Sequence, residues 1–247
     1  MNEILKLMSQ HRSIRHYQEK DIPNDLLANI IDAAQWASTS NNFQAYSIIK
    51  VKDQDRKEKL AQLCGQQQHI IDCPVFLVFC GDFNRLFISS KMAKVEPHFD
   101  TVEPFIVATV DAALLSQNVM LAAESFGLGG VYIGGIRNQS KEVSELLNLP
   151  NYVYPVFGMC LGYPDFEKIP EQKPRLPLQA ILHEEAYDNE YQEKYILEYD
   201  EVMKKYYETR TISNRSQNWS DYVGRVYQAP RRPHLRDYIE SKKFGFK

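Results

Sequence analysis

Two pairs of cations in this chain have the residue types and spacing to hold an anion. Arg12 and Arg15 lie three residues apart, and Lys173 and Arg175 lie two apart in a proline-rich segment. Guanidinium groups bind phosphate or carboxylate through paired hydrogen bonds, and lysine adds a point charge. We expect the first pair to end an N-terminal helix, where a helical turn would put both guanidinium groups on one side. A solvated basic turn and an exposed basic linker would contain the same residues.

Two further segments combine small residues with polar groups. Residues 38–42, Ser-Thr-Ser-Asn-Asn, follow an apolar helix pattern and could hold a ring edge or a phosphate, although an ordinary helix-ending loop has the same composition. Five of the eleven glycines lie within residues 127–135, after a helix pattern and before a strand. This is the reverse of the order that a dinucleotide fold requires. We therefore predict a helix C-cap at Gly127, and close approach of a flat or bulky group at Gly134 and Gly135.

Other catalytic signatures are missing from the sequence. The four cysteines form no CxxC pair, and the six histidines do not fall at metal-ligand spacing with them, so we expect neither a metal site nor a disulfide framework. There is no GxSxG motif, no spaced Cys/His pair, no paired-carboxylate signal and no Walker lysine. If the protein is an enzyme, a bound cofactor has to supply the reactivity.

The elements that position these residues follow from hydrophobic periodicity. Helices are predicted for residues 21–37, 54–63, 107–126 and 139–147, and strands for 46–52, 75–80, 130–134 and 154–161. The strand at 75–80 should be buried on both faces, and the helix at 107–126 is apolar nearly all round apart from Asp111, Gln117, Asn118 and Glu124. Interleaved helices and strands in 247 residues favour an α+β or α/β domain with a sizeable core.

The composition changes beyond Tyr163. Four prolines within fourteen positions, from Pro164 to Pro177, predict an extended arm. Residues 184–201 then carry eight acids and one lysine, a net charge of −7, and residues 202–247 carry eleven cations and four acids, a net charge of +7. We interpret these as two solvated helical faces of opposite sign, paired with each other in the simplest account. A polyanion or single-stranded nucleic-acid binder could instead use the basic segment, with Trp219, Tyr222, Tyr227 and Tyr238 as stacking surfaces.

The first residues place Glu3 and Lys6 where a signal peptide would need an apolar core, and we find no apolar run of about 18 residues. We therefore expect a cytoplasmic protein with no membrane association. The net charge of −3 gives no overall attraction to nucleic acid.

Four motifs in order, HRSIR, STSNN, GLGGVYIGG and KPRLP, together with YYETRT and NWSD near the C-terminus, cover nearly the whole chain. In this the sequence resembles the flavin-dependent nitroreductase and flavin-reductase family, in particular its NADPH-preferring, oxygen-insensitive branch. The resemblance implies an α+β fold with a central mixed sheet flanked by helices, formed by residues 1–247 as one FMN-binding domain. It further implies a homodimer in which the C-terminal arm, residues 164–247, embraces the partner and the apolar 107–126 helix lies at or near the contact.

The family's site residues transfer onto this sequence motif by motif. The residues implied to line bound FMN are His11, Arg12, Ser13, Arg15, Ser38, Thr39, Ser40, Gln67, His69, Tyr132, Ile133, Gly134, Gly135, Lys173 and Arg175. Arg210 and Arg215 match two arginines that the family uses to bind NADPH. No protein side chain is implied to react covalently, because hydride passes from NADPH to the flavin and then to a second oxidant.

The resemblance leaves the second oxidant open among small-molecule electron acceptors. Nitroaromatics, quinones and free flavin all fit, and a dedicated NADPH:FMN reductase that releases reduced flavin is an alternative. Asn41, Asn42 and Phe43 stand where close relatives carry a serine-rich run and a bulky hydrophobe, a difference that bears on acceptor choice.

Overall fold

The computed structural model describes residues 2–210 and 216–245. These residues form two compact units: unit 1 comprises the chain up to Ile169 together with the segment from Arg232 onward, and unit 2 comprises Pro170–Arg231. The helices are α1 (Glu3–Ser9), α2 (Asn24–Ala34), α3 (Gln54–Leu63), α4 (Gln68–Asp72), α5 (Asn84–Met92), α6 (Val102–Ser125), α7 (Ser140–Leu146), α8 (Gln192–Thr209), α9 (Trp219–Tyr227) and α10 (Leu235–Ser241), and the strands are β1 (Tyr46–Val51), β2 (Val75–Asp82), β3 (Gly129–Ile133) and β4 (Val153–Gly162).

Unit 1 is an α+β layer structure built on a four-stranded sheet of order β1-β2-β4-β3. All three strand pairings are antiparallel. Within the described residues, the parallel pairing expected of a mixed sheet occurs as an isolated bridge between Ser13 and Gly130. The predicted helices and strands are therefore present, and the sheet is more uniform in direction than expected.

The sheet separates two hydrophobic clusters, as the predicted burial of β2 on both faces requires. Alternate residues of a strand point to opposite faces, and Leu77 and Phe79 belong to one cluster whereas Phe76 and Val78 belong to the other. Helices α2 and α6 contribute to the first cluster, and α3, α4 and α7 contribute to the second.

Helix α6 is the longest helix of the core and ends as its sequence predicts. Gly127 has φ +74°, and the amides of Gly127 and Leu128 donate to the carbonyls of Glu124 and Ala123. This is the hydrogen-bond pattern of a Schellman cap, in which glycine avoids the penalty of the left-handed conformation. Among the described helices, α6 is long and apolar enough to span a bilayer by length and composition, a test that buried core helices also pass.

Unit 1 is completed by the last described segment of the chain. Tyr238 and Ile239 of α10 are buried, and Phe244 is 1% exposed. The Phe244 ring packs edge-on against the rings of Phe83 and Tyr154, at centroid distances of 6.0 and 5.0 Å. This segment is thus part of the unit 1 core.

Unit 2 has a small core of its own, formed by buried Tyr199, Met203 and Tyr207 of α8. The amide of Ser220 in α9 donates to the buried carboxylate of Asp200 at 2.8 Å, which ties α9 to α8. The proline-rich segment from Pro164 to Pro177 is extended as predicted, apart from a short 3-10 turn at Phe166–Lys168, and a second turn at Leu178–Ala180 follows it.

The charged segments do not form the two helical faces that we predicted. Residues 184–191 of the acidic segment lie before α8, which runs across the boundary into the basic segment. The basic segment itself is divided between the two units, because Arg232 begins the return to unit 1. Two ion pairs form inside single segments, Lys194 with Glu198 and Arg236 with Glu240.

The aromatic surface proposed for nucleic-acid stacking is also incomplete. Tyr238 is 7% exposed, and its hydroxyl bonds to Ser144 in unit 1. The Trp219 ring packs edge-on against Tyr199 in unit 2, at 5.8 Å. Tyr222 and Tyr227 are exposed. Two of the four aromatic residues are thus engaged in the two cores, which removes the main support for this alternative.

Candidate functional site

The N-terminal cation pair lies on an extended segment, and the prediction of a helical turn was wrong. Helix α1 ends at Ser9, and Ser13 forms the parallel bridge to Gly130 of β3. The amide of Ile14 donates to the Gly130 carbonyl at 2.9 Å, and the Ile14 side chain is buried. Burial of Ile14 and pairing with the edge of β3 outweigh the local helical tendency, so a shared helical side does not unite Arg12 and Arg15.

His11 is held by a carboxylate that the sequence analysis did not assign to the site. Its Nδ1 lies 2.6 Å from Oε1 of Glu124, in the last turn of α6. The Glu124 side chain is 12% exposed, so this contact is largely shielded from water. A carboxylate on one ring nitrogen fixes the orientation of the imidazole and directs the other nitrogen away. The only sequence signal was a polar residue in an otherwise apolar helix.

The serine-rich loop begins after α2 and leads into β1. Ser38 is exposed, whereas Thr39 and Ser40 are half-buried. The amide of Ser40 donates to Oδ1 of Asp111 in α6 at 3.0 Å. Asp111 was noted in the sequence only as an exception to the apolar pattern, and it proves to be 1% exposed.

Gln67 and His69 lie at the start of α4. The side-chain amide of Gln67 donates to the Cys64 carbonyl at 2.8 Å. Nε2 of His69 is buried without a hydrogen-bond partner among the described residues. Burial lowers the pKa of His69, and the positive charges of Arg15 and His16 lower it further, against an opposing effect of Asp72.

The residues at the end of β3 divide into buried and open positions. The Tyr132 hydroxyl lies 3.2 Å from Oγ of Ser116, and Ile133 is buried. A Cβ on Gly135 would lie 2.4 Å from both the Cys64 carbonyl and Nε2 of Gln67, so close packing within the protein explains this glycine. A Cβ on Gly134 would meet nothing nearer than a guanidinium nitrogen of Arg137 at 3.5 Å. Only Gly134 leaves room for the close approach predicted for both.

The second cation pair lies in unit 2. Lys173 and Arg175 are exposed, and the Arg175 guanidinium donates to the carbonyl of Lys173 at 2.7 Å. The Tyr199 hydroxyl donates to the carbonyl of the intervening Pro174 at 2.9 Å. The proline-stiffened backbone thus holds both cations at the surface of unit 2.

Arg210, the first of the two predicted NADPH-binding arginines, directly follows α8 as its C-cap residue. Its amide donates to the Tyr206 carbonyl at 3.1 Å, and its guanidinium carbon lies 4.8 Å from the centroid of the Tyr207 ring. Arg215 lies outside the described residues.

Several residues of unit 1 have the chemistry that a flavin mononucleotide needs. Arg15 offers positive charge, the buried Nε2 of His69 has no hydrogen-bond partner among the described residues and offers a hydrogen-bonding group, and the open space at Gly134 allows a planar ring to approach the backbone. The thiols are poorly suited to nucleophilic attack, since burial raises the pKa values of Cys64 and Cys80 to about 12. The described residues hold no group of three or more side chains arranged for a metal ion.

Comparison with known proteins accounts for both parts of the chain. Residues 8–163 match the model of the Nitroreductase family, and residues 173–247 match that of the Nitroreductase family, C-terminal domain. The chain is 40% identical over 245 residues to the oxygen-insensitive NADPH nitroreductase of Salmonella typhimurium, covering 98% of each protein. It is 38% identical over 249 residues to an FMN reductase (NADPH) of Bacillus subtilis, covering 99% of each.

The structural comparison gives the same answer. The NADPH:FMN oxidoreductase from Vibrio harveyi, solved in complex with NAD+, superposes with a TM-score of 0.88 at 38% identity and 98% coverage of both chains. The hypothetical oxidoreductase YcnD from Bacillus subtilis superposes with a TM-score of 0.96 at 38% identity, over the full length of both chains. Sequence motifs, family models and fold agree, and the chain belongs to the nitroreductase family.

Proposed function

We propose that the protein is an FMN-dependent oxidoreductase that takes two electrons from NADPH and passes them to a nitroaromatic compound, a quinone or free flavin. The observation that carries this proposal is the buried Nε2 of His69, which has no hydrogen-bond partner among the described residues and lies within residues 8–163, the segment that matches the Nitroreductase family. The names of the relatives support the same reductant and cofactor.

Bound FMN would supply the hydride chemistry, since its ring accepts a hydride and later releases one. The chain's own residues would then have three tasks. Arg15 and His11 would bind the anionic end of the cofactor, Gln67 and the 132–135 backbone would orient the ring, and Lys173 and Arg175 would add positive charge. A fixed cation near a flavin favours its reduced, negatively charged state.

We further propose that Arg210 and Arg215 select NADPH over NADH. A 2′-phosphate needs cationic partners, and arginine can bind it through two parallel hydrogen bonds. Arg215→Ala should raise the KM for NADPH about tenfold and leave the KM for NADH within about twofold, in line with the loss of one charge-assisted hydrogen bond. Lys204→Ala, an exposed cation on α8, is the matched control. Equal changes in both KM values for R215A would contradict the assignment.

The proposed assembly is a cytoplasmic homodimer in which each chain is one FMN-binding domain and residues 164–247 form its arm. An exposed apolar stripe on α6 supports it: Val102, Ile106, Val110 and Leu114 follow at intervals of four and are between 41% and 47% exposed. A helical stripe of this kind on a soluble protein marks a contact surface. Sedimentation equilibrium should give twice the 28.7 kDa chain mass, and Val110→Glu should shift the distribution towards monomer. A wild-type protein that stays monomeric at micromolar concentration would exclude this assembly.

An anaerobic absorbance titration tests the reaction class. We expect the purified protein to carry flavin bands that bleach with NADPH and return when a nitrofuran or a quinone is added. A protein that takes up no FMN would overturn the proposal.

The alternative of a dedicated FMN reductase is supported by the names of two Bacillus subtilis relatives, FMN reductase [NAD(P)H] and FMN reductase (NADPH). Steady-state kinetics separate the two functions. In a dedicated reductase, added FMN is a saturable substrate with a kcat/KM well above that of nitrofurans or quinones.

A further inference from the structure

We propose that Asp111 is a positioning residue that fixes the conformation of the 40–45 loop for flavin binding. The inference rests on the proposed function and assigns a role to a residue that is not itself among those expected to line FMN. It concerns the mechanical support of the Ser40 segment.

The carboxylate of Asp111 reaches both ends of the loop. Its Oδ1 accepts the amide hydrogen of Ser40 at 3.0 Å, and its Oδ2 accepts that of Ala45 at 3.0 Å. Asp111 is 1% exposed and Ala45 is fully buried, so water does not compete for these bonds. Hydrogen bonds to an ionised, buried acceptor are about twice as strong as neutral ones.

The loop needs such support because its backbone is strained. Asn41, Asn42 and Gln44 have φ values of 47°, 57° and 50°. Asparagine enters the left-handed region more readily than other non-glycine residues, whereas for a residue such as Gln44 the conformation is unfavourable and persists only when its surroundings enforce it. Inside the loop, the amides of Asn42 and Phe43 donate to the carbonyls of Thr39 and Ser40. Those two bonds are local. Longer-range bonds come from Asp111 at both ends of the loop, and at its end alone from the Arg85 guanidinium, which donates to the Gln44 carbonyl at 3.0 Å, and the Asp82 amide, which donates to the Ala45 carbonyl at 3.0 Å.

Asp111 lies on a part of α6 that is packed in the hydrophobic core. Ala108, Ala112 and Leu115, neighbours of Asp111 on α6, are all fully buried. Because packed core helices move little, a carboxylate on α6 holds the loop in a fixed position relative to the core. The same helix supplies Ser116 to Tyr132 and Glu124 to His11, so three of the segments expected to line FMN are attached to one element.

The test compares D111N with S144A. D111N keeps the size of the side chain but replaces an acceptor oxygen with an amide that faces an N–H donor. S144A removes a buried hydrogen bond between α7 and α10 and so provides a loss of stability in unit 1 outside the cofactor segments. We would measure the Kd for FMN, the visible circular dichroism of the bound flavin, the Tm, and hydrogen exchange of the Ser40 and Ala45 amides.

D111N should raise the Kd for FMN about tenfold, because FMN binding would then have to order a loop that Asp111 no longer holds, and it should change the flavin dichroism and speed exchange at Ser40 and Ala45. S144A should lower the Tm with a Kd within about twofold of the wild type. Equal Kd changes in the two variants, or an unchanged Kd and dichroism in D111N, would overturn the positioning role while leaving the proposed function intact.

A further hydrogen-exchange measurement uses the unsubstituted protein, so it does not require any variant to fold. In the unsubstituted apoprotein the amides of Ser40 and Ala45 should exchange at least tenfold more slowly than those of Asn41 and Gln44. Exchange of all four at similar rates would overturn the inference. Failure of the unsubstituted chain to bind FMN at all would overturn the proposed function, and the inference with it.

Discussion

Unit 1 and unit 2 each carry a pair of cations expected to meet FMN, and they fix them by different means. The segment of Arg12 and Arg15 is tied to the edge of β3 by the Ser13–Gly130 bridge and the buried Ile14. The segment of Lys173 and Arg175 has the rigidity of its prolines and is tied to α8 by side-chain hydrogen bonds, from the Tyr199 hydroxyl to the Pro174 carbonyl and from the Tyr206 hydroxyl to the Glu171 carbonyl.

The difference shows two ways to limit the entropy lost on binding an anion. In unit 1, sheet pairing and core burial have already ordered the backbone, so little freedom is lost when a ligand binds. In unit 2, proline restricts the backbone dihedral angle, but no sheet pairing is described for this segment, and the side chains of Lys173 and Arg175 are exposed. Arg12 and Arg15 should therefore each contribute more to the affinity for FMN than Lys173 and Arg175 do.

The cation pairs provide the strongest test of this difference. Arg15→Ala should raise the Kd for FMN about a hundredfold, close to the upper range for a hydrogen bond between charged groups, whereas Lys173→Ala should raise it about tenfold. Both effects can be measured by fluorescence titration of the apoprotein.

Two exposed cations serve as controls, Arg56→Ala on α3 for unit 1 and Lys204→Ala on α8 for unit 2. We expect both to leave the Kd for FMN within about twofold. A larger effect for K173A than for R15A would reverse the comparison.

A glycine pair tests how tightly the unit 1 site is packed. Gly135→Ala should lower the free energy of unfolding of the apoprotein by about 1–3 kcal/mol, because the methyl group would meet the Cys64 carbonyl at 2.4 Å. Gly134→Ala should change it by less than about 0.5 kcal/mol, since its methyl group has ordinary contacts. Urea unfolding measures both, and equal losses would show that the end of β3 is less rigid than we infer.

The bond that supports the arm in unit 2 predicts a smaller effect. Tyr199→Phe removes the hydroxyl that donates to Pro174, so the stability of unit 2 should fall by about 1 kcal/mol. The Kd for FMN should rise by no more than about threefold, because the prolines still restrict the arm. Tyr222→Phe, an exposed tyrosine on α9, is the control for losing a hydroxyl. A tenfold loss of FMN affinity in Y199F alone would mean that the arm depends on this one bond.

The smallest effect is a pH dependence that arises in unit 1. The pKa of His69 is lowered in the folded chain, so around and below pH 6.5 the unfolded state binds more protons than the folded state. Stability of the apoprotein should therefore increase as the pH rises from about 5 to about 7, by less than about 1 kcal/mol from this group. His69→Gln should flatten the profile, as measured by Tm against pH.

Binding of FMN should shift the pKa of His69 upward, opposite to the downward shift that folding causes in the apoprotein. A phosphate dianion near Arg15 would offset the positive charge that His69 experiences, so FMN should raise the pKa of His69 in an NMR titration. A His69 pKa that is the same with and without FMN would place the anionic end of the cofactor elsewhere.

Most of the fold was predictable because its strands and helices have strong periodicity. Helix α3 has the predicted bounds, Gln54–Leu63, and β2 packs against two clusters as its unbroken apolar run implies. Local sequence patterns were sufficient to predict a helix or strand whose structure depends mainly on its own residues. They failed at residues 11–15, where pairing with Gly130, more than a hundred positions later, determines the conformation.

The residues that support the site were beyond sequence reasoning for the same reason. Asp111 bonds to Ser40 across 71 positions, and Glu124 contacts His11 across 113. Their only mark in the sequence was polarity within an apolar helix, which is equally typical of a solvated position. The cofactor residues themselves were identified by resemblance to a family, and their roles remain predictions.

The packing of Phe244 has a consequence for the order in which the chain can fold during synthesis. Its ring fills the core beside Phe83 and Tyr154, yet it is translated after the whole of Pro170–Arg231. Unit 1 therefore cannot complete its core until Pro170–Arg231 has been synthesised, and until then the position of the Phe244 ring is empty. A polypeptide stalled on the ribosome before α10 would expose that gap to chaperones and proteases, so premature termination here should yield degradation instead of a shortened enzyme.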